Sequence, residues 1–119
     1  MGTRMVSAAE SPVHQNWKDA IINAKETDIL FLNRHGPGPA LRALKTERTT
    51  KLDREPTENI MGEMRGVLDL YFGGDMEAAI ALSGQVAGRI DEVKSAKDII
   101  DEVISEFHAI MEQMAKTYL

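Results

Sequence analysis

The sequence begins with a Gly-Thr pair, Gly2 and Thr3, whose chemistry suits the binding of an anion. Glycine lets backbone N–H groups approach a ligand closely, and threonine adds a hydroxyl donor. Such donors hold a phosphate when they stand at the start of a helix. No strand precedes the pair here to aim these donors, so a disordered N-terminus is the competing interpretation.

A second group of residues, Ser83, Gly84 and Gln85, could contact a ligand through its oxygen atoms. Serine and glutamine side chains hydrogen-bond nitro, carbonyl or quinone oxygens, and glycine allows a close approach. The alternative is a tight turn between helices, in which Gly84 and Gly88 simply permit packing. The sequence leaves both interpretations open.

The other polar clusters do not indicate catalysis or a metal. The three histidines lie far apart, without the spacing that puts two ligands on one helix face. Four acids near the C-terminus fit a solvated helix face, and a basic run could meet a nucleotide or acyl-carrier phosphate only in a longer enzyme. These sets are His14, His35 and His108; Asp98, Asp101, Glu102 and Glu106; and Arg42, Lys45, Arg48, Lys51 and Arg54. We therefore assign no catalytic residue and no metal ligand.

Composition narrows the class of protein further. The chain has 119 residues, a formal net charge of −5 and no cysteine. The charge argues against nucleic acid and anionic membranes as partners, and the lack of cysteine excludes disulfides and thiolate chemistry. No apolar run is long enough for a membrane span, so we expect a cytoplasmic protein.

The pattern of apolar residues predicts a mainly α protein. Ser11 and Pro12 predict a helix start, with the helix running to about residue 25. Residues 28–33 could form a short strand, residues 41–44 begin a helical stretch, and the polar residues 45–57 could be a mobile surface loop.

Three further helices are predicted in the second half. One runs from Ile60 to Tyr71 and is ended by two glycines. A short one is capped by Asp75 and runs to Leu82. The last is capped by Ser95 and carries an apolar stripe to the C-terminus.

Several short motifs in order resemble the nitronate monooxygenase (2-nitropropane dioxygenase-like) family of FMN enzymes. The first two motifs are Met-Gly-Thr-Arg and Glu-Ser-Pro-x-His. A Trp-Lys pair on a predicted helix and the tripeptide Glu-Thr-Asp follow them. The motifs lie at residues 1–4, 10–14, 17–18, 26–28, 39–44, 74–78 and 83–88. The resemblance therefore covers most of the chain.

The resemblance implies the C-terminal fragment of a (β/α)₈ FMN barrel. Residues 1–10 would be the remnant of the last barrel strand and phosphate loop, residues 11–92 a helical substrate domain, and residues 93–119 the final barrel helix. In the family, Gly2 and Thr3 would grip the FMN phosphate. Ser83, Gly84 and Gln85 would line the substrate pocket.

The implied function is that of an FMN-dependent oxidoreductase, with nitronate oxidation by dioxygen as the first expectation. Flavin-dependent enoyl-acyl-carrier-protein reductases and NADH:quinone reductases have the same architecture, and their activities are the alternative functions. The family's other flavin-binding strands and its catalytic histidine segment have no counterpart here, so we expect the chain alone to be inactive and to hold FMN weakly.

A hypothesis from a different class is a stand-alone helical interaction module. The apolar stripes of the helices at residues 60–71 and 95–119 exceed what this chain can bury by itself. Exposed apolar faces of this kind favour self-association. The chain is therefore expected to form a homo-oligomer through these faces.

Overall fold

The structure is a computed structural model that describes all residues, Met1–Leu119. Five α-helices and one two-stranded sheet follow one another along the chain, and the predicted mainly α class is confirmed. The elements are α1 (Gly2–Val6), α2 (Gln15–Asn23), β1 (Ile29–Leu32), β2 (Leu41–Leu44), α3 (Glu47–Arg54), α4 (Val67–Tyr71) and α5 (Ala96–Tyr118), with 3₁₀ turns at Ile60–Met64 and Gln85–Arg89.

The N-terminal residues fold differently from the strand end expected for residues 1–10. Residues Gly2–Val6 form the short helix α1. The Ser7 hydroxyl donates to the Arg4 carbonyl at 2.8 Å, and the Ala9 N–H donates to the Lys94 carbonyl at 2.9 Å. These bonds close the helix and tie the segment after it to the start of α5.

The two strands form an antiparallel hairpin. The register pairs Ile29 with Leu44 and Leu32 with Leu41. The predicted strand at residues 28–33 is present, whereas the helix predicted to begin at residue 41 is wrong. A longer-range bond explains the difference, because the Leu44 N–H donates to the Ala81 carbonyl at 2.8 Å.

The segment that bonds to β2 was predicted as a short helix and is extended instead. Ala43 and Leu82 form an isolated antiparallel bridge, and the Ser83 N–H donates to the Arg42 carbonyl at 3.1 Å. Residues 79–81 are fully buried. Buried backbone groups need hydrogen-bond partners, and strand β2 supplies here the partners that a helix would otherwise have provided.

Two helix starts also differ from the prediction. The N-cap of α2 is His14, whose Nδ1 accepts from the Asn16 N–H at 3.1 Å, so Ser11 is not the cap. The polar stretch at residues 45–57 contains helix α3 where a mobile loop was predicted. Thr46 and Thr49 form a reciprocal capping box at its start. Side chain–backbone bonds of this kind stabilise a short polar helix.

The helix predicted from Ile60 to Tyr71 is interrupted. It consists of a 3₁₀ turn and α4, with Gly66 at the junction. A Cβ atom on Gly66 would lie 2.3 Å from the Ala78 carbonyl oxygen. The chain can pass this closely only because residue 66 has no side chain.

The interior consists of two apolar clusters that share the hairpin. The larger one is built around Trp17, Ile21, Leu44 and Leu70. The smaller one contains Leu32, Ala43, Ile60 and Ile80. Because β2 contributes to both clusters, the hairpin links the two halves of the core.

The terminal helix α5 begins as predicted, with the Ser95 hydroxyl accepting from the Asp98 N–H at 3.0 Å. Only Ile99 of this helix is buried. Its other large apolar residues are exposed, and the molecule is elongated, with extents of 53 × 31 × 21 Å. None of the helices is both long enough and apolar enough to cross a bilayer.

Replacing Gly66 by alanine is expected to lower the free energy of unfolding by about 2–4 kcal/mol, because the new Cβ forces the backbone away from Ala78. Urea denaturation measures the change. Gly2→Ala is the matched control, since nothing lies within 4 Å of a Cβ there. Equal stability of the two variants would contradict the close contact at Gly66.

Candidate functional site

A cleft of about 450 Å³ lies between α1, α2, α4 and the segment that follows Ala81. Its walls are mostly apolar, with four polar or small residues among them. The apolar residues are Val6, Val13, Trp17, Tyr71, Phe72 and Leu82, and the others are Thr3, Arg42, Ser83 and Gly84. A small number of polar groups in an apolar cleft of this size is typical of small-molecule sites.

Two predicted site segments meet at this cleft. The Gly84 N–H donates to the Thr3 Oγ1 at 2.8 Å, although the residues are 81 positions apart. A Cβ atom on Gly84 would lie 2.9 Å from that same oxygen. Glycine at residue 84 therefore allows the threonine hydroxyl to reach the backbone, and this contact joins α1 to the Ser83–Gln85 segment.

Gln85 is not in the cleft lining, but its side chain is hydrogen-bonded to Arg42, which is. The Arg42 Nη1 donates to the Gln85 Oε1 at 3.1 Å, and the guanidinium carbon lies 4.8 Å from the centre of the Phe31 ring. Ser83 is buried, and its hydroxyl donates a long hydrogen bond of 3.3 Å to the Gly84 carbonyl. The roles of Ser83, Gly84 and Gln85 toward a substrate remain predictions.

Sequence reasoning missed Arg42 as a lining residue because it treated residues 42–54 as one basic run. The structure divides that run. Arg48 lies outside the cleft, where its guanidinium contacts the Glu63 carboxylate at 2.5 Å and the Glu77 carbonyl at 2.7 Å. The signal available in the sequence was that Arg42 lies within the family motif at residues 39–44.

Two aromatic side chains in the cleft lining, Trp17 and Tyr71, pack against each other. The Trp17 and Tyr71 ring centroids are 5.4 Å apart at an interplanar angle of 75°. The Trp17 Nε1 is buried and has no hydrogen-bond partner. Burial raises the pKa of the Tyr71 hydroxyl above its usual 10.0, and a backbone hydrogen bond with Leu82 partly opposes the shift.

None of the three histidines is among the residues that line this cleft. His14 caps α2, while His35 and His108 are exposed. No group of three or more histidines and acids is close enough to hold a metal ion.

The start of α1 carries hydrogen-bond donors that the helix itself does not use. The first helical bond runs from the Met5 N–H to the Met1 carbonyl at 3.1 Å, so the Gly2 and Thr3 amides have no partner within the helix. The space around Gly2 is open. Thr3 Oγ1 accepts from Gly84 and still has its own proton to donate.

The raised pKa of Tyr71 gives a pH dependence of stability. The unfolded chain loses this proton first as the pH rises through about 10, so the free energy of unfolding should fall above that pH. Phenolate absorbance should show one tyrosine titrating late, and Tyr71→Phe should remove that step. Tyr118→Phe is the control, since Tyr118 is 78% exposed. Loss of the late step in the control instead would contradict the assignment.

Comparison with known proteins gives a consistent result. The family model for nitronate monooxygenase matches residues 1–106. FabK from Thermotoga maritima is 32% identical with a TM-score of 0.84, and a point mutant of that protein is 33% identical with a TM-score of 0.80. No curated protein matches the chain.

These structural matches cover all of this chain but only part of the other proteins. The chain spans 39% of FabK and 36% of the mutant. Those proteins have the TIM-barrel fold, so the expected relation to one part of such a barrel is confirmed. The family match covers most of the chain and agrees with the order of the motifs, and the chain belongs to the nitronate monooxygenase family.

Proposed function

We propose that this chain forms the cofactor-edge and substrate-side portion of an FMN-dependent oxidoreductase. The observation that carries the proposal is the Thr3–Gly84 hydrogen bond, which puts the start of α1 beside the Ser83–Gln85 segment. A flavin phosphate and a substrate could thus be held by neighbouring parts of one cleft. Family membership supports the same cofactor.

The residues of this chain would bind and orient rather than transfer electrons. FMN supplies the redox chemistry when it is bound. The amides of Gly2 and Thr3 and the Thr3 hydroxyl would hold phosphate oxygens. Ser83 and Gln85 would donate to oxygens of the substrate, and the apolar walls would keep water from the reacting atoms.

Oxidation of alkyl nitronates by dioxygen is the first proposed reaction. The family match favours it, while the likeness to FabK supports reduction of an enoyl thioester equally well. Reduction of a quinone by NADH is the third candidate reaction for an FMN-dependent oxidoreductase of this kind. All three substrates present an oxygen that the Ser83 and Gln85 side chains could bind, so substrate assays must separate them.

A chimera tests this proposal. In Thermotoga maritima FabK, the matching part is replaced by this chain, and FMN affinity is followed by quenching of flavin fluorescence. Thr3→Val should weaken FMN binding by about 10- to 100-fold, because one hydrogen bond to a charged group is lost. Thr3→Ser keeps the hydroxyl and should bind nearly as well as the unsubstituted chimera.

Cofactor binding and substrate preference are tested by different measurements. Unchanged FMN affinity in the Thr3→Val chimera would show that the α1 assignment is wrong. The chain alone is expected to quench flavin fluorescence little, and tight binding would contradict the need for the barrel. The nitronate of nitropropane, an enoyl thioester and a quinone are then compared as substrates.

We also propose that the exposed face of α5 binds a second copy of this chain. Seven apolar side chains of α5 are 41–58% exposed: Ile100, Val103, Ile104, Phe107, Ile110, Met111 and Met114. At roughly 100 Å² each they offer about 700 Å², close to the ~800 Å² per partner of a standard interface. The spacing of three and four residues suits helix–helix packing.

The order of these residues favours an antiparallel pair. The stripe is symmetric about Phe107, so an antiparallel partner places Ile100 against Met114 and Val103 against Met111. The same alignment brings Asp98 opposite Lys116. A parallel pair would instead set the acidic first halves of the two helices side by side.

Phe107→Asp should convert the dimer to a monomer, because it places two charges at the centre of the interface. Sedimentation velocity across a dilution series measures the change. Ser105→Asp is the control, since it adds the same charge outside the apolar stripe. A monomeric unsubstituted chain at high concentration would exclude the second copy and favour another occupant, such as a barrel wall.

A further inference from the structure

Arg42 is the only charged residue among those that line the cleft. We propose that its guanidinium binds a planar, two-oxygen anion at the end of an amphipathic ligand, whose apolar body lies along the Trp17 and Tyr71 walls. This inference rests on the proposed function to the extent that the cleft is taken as the substrate pocket. It adds the residue that recognises the charged end of the ligand.

The Arg42 side chain is held in place before any ligand arrives. Arg42 lies on β2 directly opposite Phe31, and its guanidinium carbon is 4.8 Å from the centre of that ring. Its Nη1 donates to the Gln85 Oε1 at 3.1 Å. A cation over an aromatic ring with one fixed hydrogen bond has lost much of its rotamer freedom, so less entropy is lost on binding.

The guanidinium also keeps unused donors. A guanidinium carries five N–H groups, and the bond to Gln85 is the single hydrogen bond that the Arg42 side chain makes. No carboxylate forms a salt bridge with it; the ion pairs of the chain involve Arg48, Lys94 and Lys97. Arg48 provides the contrast, because Glu63 neutralises it. Arg42 therefore has both the charge and the donors to bind an anion.

The guanidinium and the apolar walls around it indicate the chemical class of the ligand. Arginine donates two parallel bonds to anions with two oxygens in one plane, such as carboxylates and nitronates. The other walls of the cleft are mostly apolar, so a small hydrated anion gains little from them. An apolar chain that ends in a carboxylate or nitronate matches both parts of the site, whereas a neutral analogue matches only the walls.

Fluorescence of the single tryptophan reports binding, since Trp17 is in the cleft wall. The full chain is titrated with octanoate and with octanol, without FMN. Octanoate should bind at least 10-fold more tightly than octanol. Arg42→Gln should abolish that difference and leave octanol binding unchanged, while Arg42→Lys, which keeps the charge but not the fork, should retain part of it.

Lys51→Gln is the matched control. It removes one positive charge from the exposed surface of α3, outside the cleft lining, and should bind octanoate like the unsubstituted chain. Octanol binding also checks that each variant is folded. Equal affinities for octanoate and octanol, or equal octanoate binding by the Arg42→Gln and unsubstituted chains, would overturn the proposal.

A titration with the nitronate of nitrooctane shows whether the site prefers a nitronate or a carboxylate. Both anions should depend on Arg42, and tighter binding of the nitronate would assign the site to that class, whereas tighter binding of octanoate would assign it to carboxylates. The FMN titration of the chimera is independent of these measurements. Anion binding without FMN binding would remove the cofactor proposal alone, and FMN binding without an Arg42 effect would remove this one alone.

Discussion

The fold depends on one set of backbone hydrogen bonds, those that attach the segment around Ala81 to strand β2. Leu44 and Ala81, and Ser83 and Arg42, are joined across more than 35 residues of chain. A two-stranded hairpin is marginally stable in water by itself. The added extended segment gives β2 a partner on its other side, and its buried residues belong to both apolar clusters.

The same attachment builds the candidate site. Once Ser83 is bonded to the Arg42 backbone, Gly84 follows directly and meets the Thr3 hydroxyl. Arg42 projects from β2 to Gln85 one residue further on. Thus the start of α1, the serine–glutamine segment and the arginine come together because of a single strand-like contact. A change that weakens this contact should disturb the cleft and the core at once.

Features set by local chemistry could be predicted from the sequence, and features set by distant partners could not. The Ser95 cap depends on residues three positions apart, and it is present as predicted. The helical prediction for residues 41–44 failed because the Ala81 carbonyl is the partner of Leu44, which no local pattern reveals. Gly66 likewise interrupts a helical pattern because of Ala78, a residue outside that pattern. The polar helix α3 was missed because a threonine capping box outweighs its weak apolar pattern.

Helix α5 makes few contacts with the rest of the molecule. It rests on the rest of the molecule mainly through its first turn, where Ile99 is buried and the Ala96 N–H donates to the Glu10 carboxylate at 2.8 Å. Beyond that, surface ion pairs such as Lys94–Glu102 and Lys97–Asp101 support it, and such pairs contribute little. Most helical stability in proteins comes from packing an apolar face rather than from propensity. A 23-residue helix with one buried residue lacks that packing, and the proposed second copy would supply it by covering the stripe centred on Phe107.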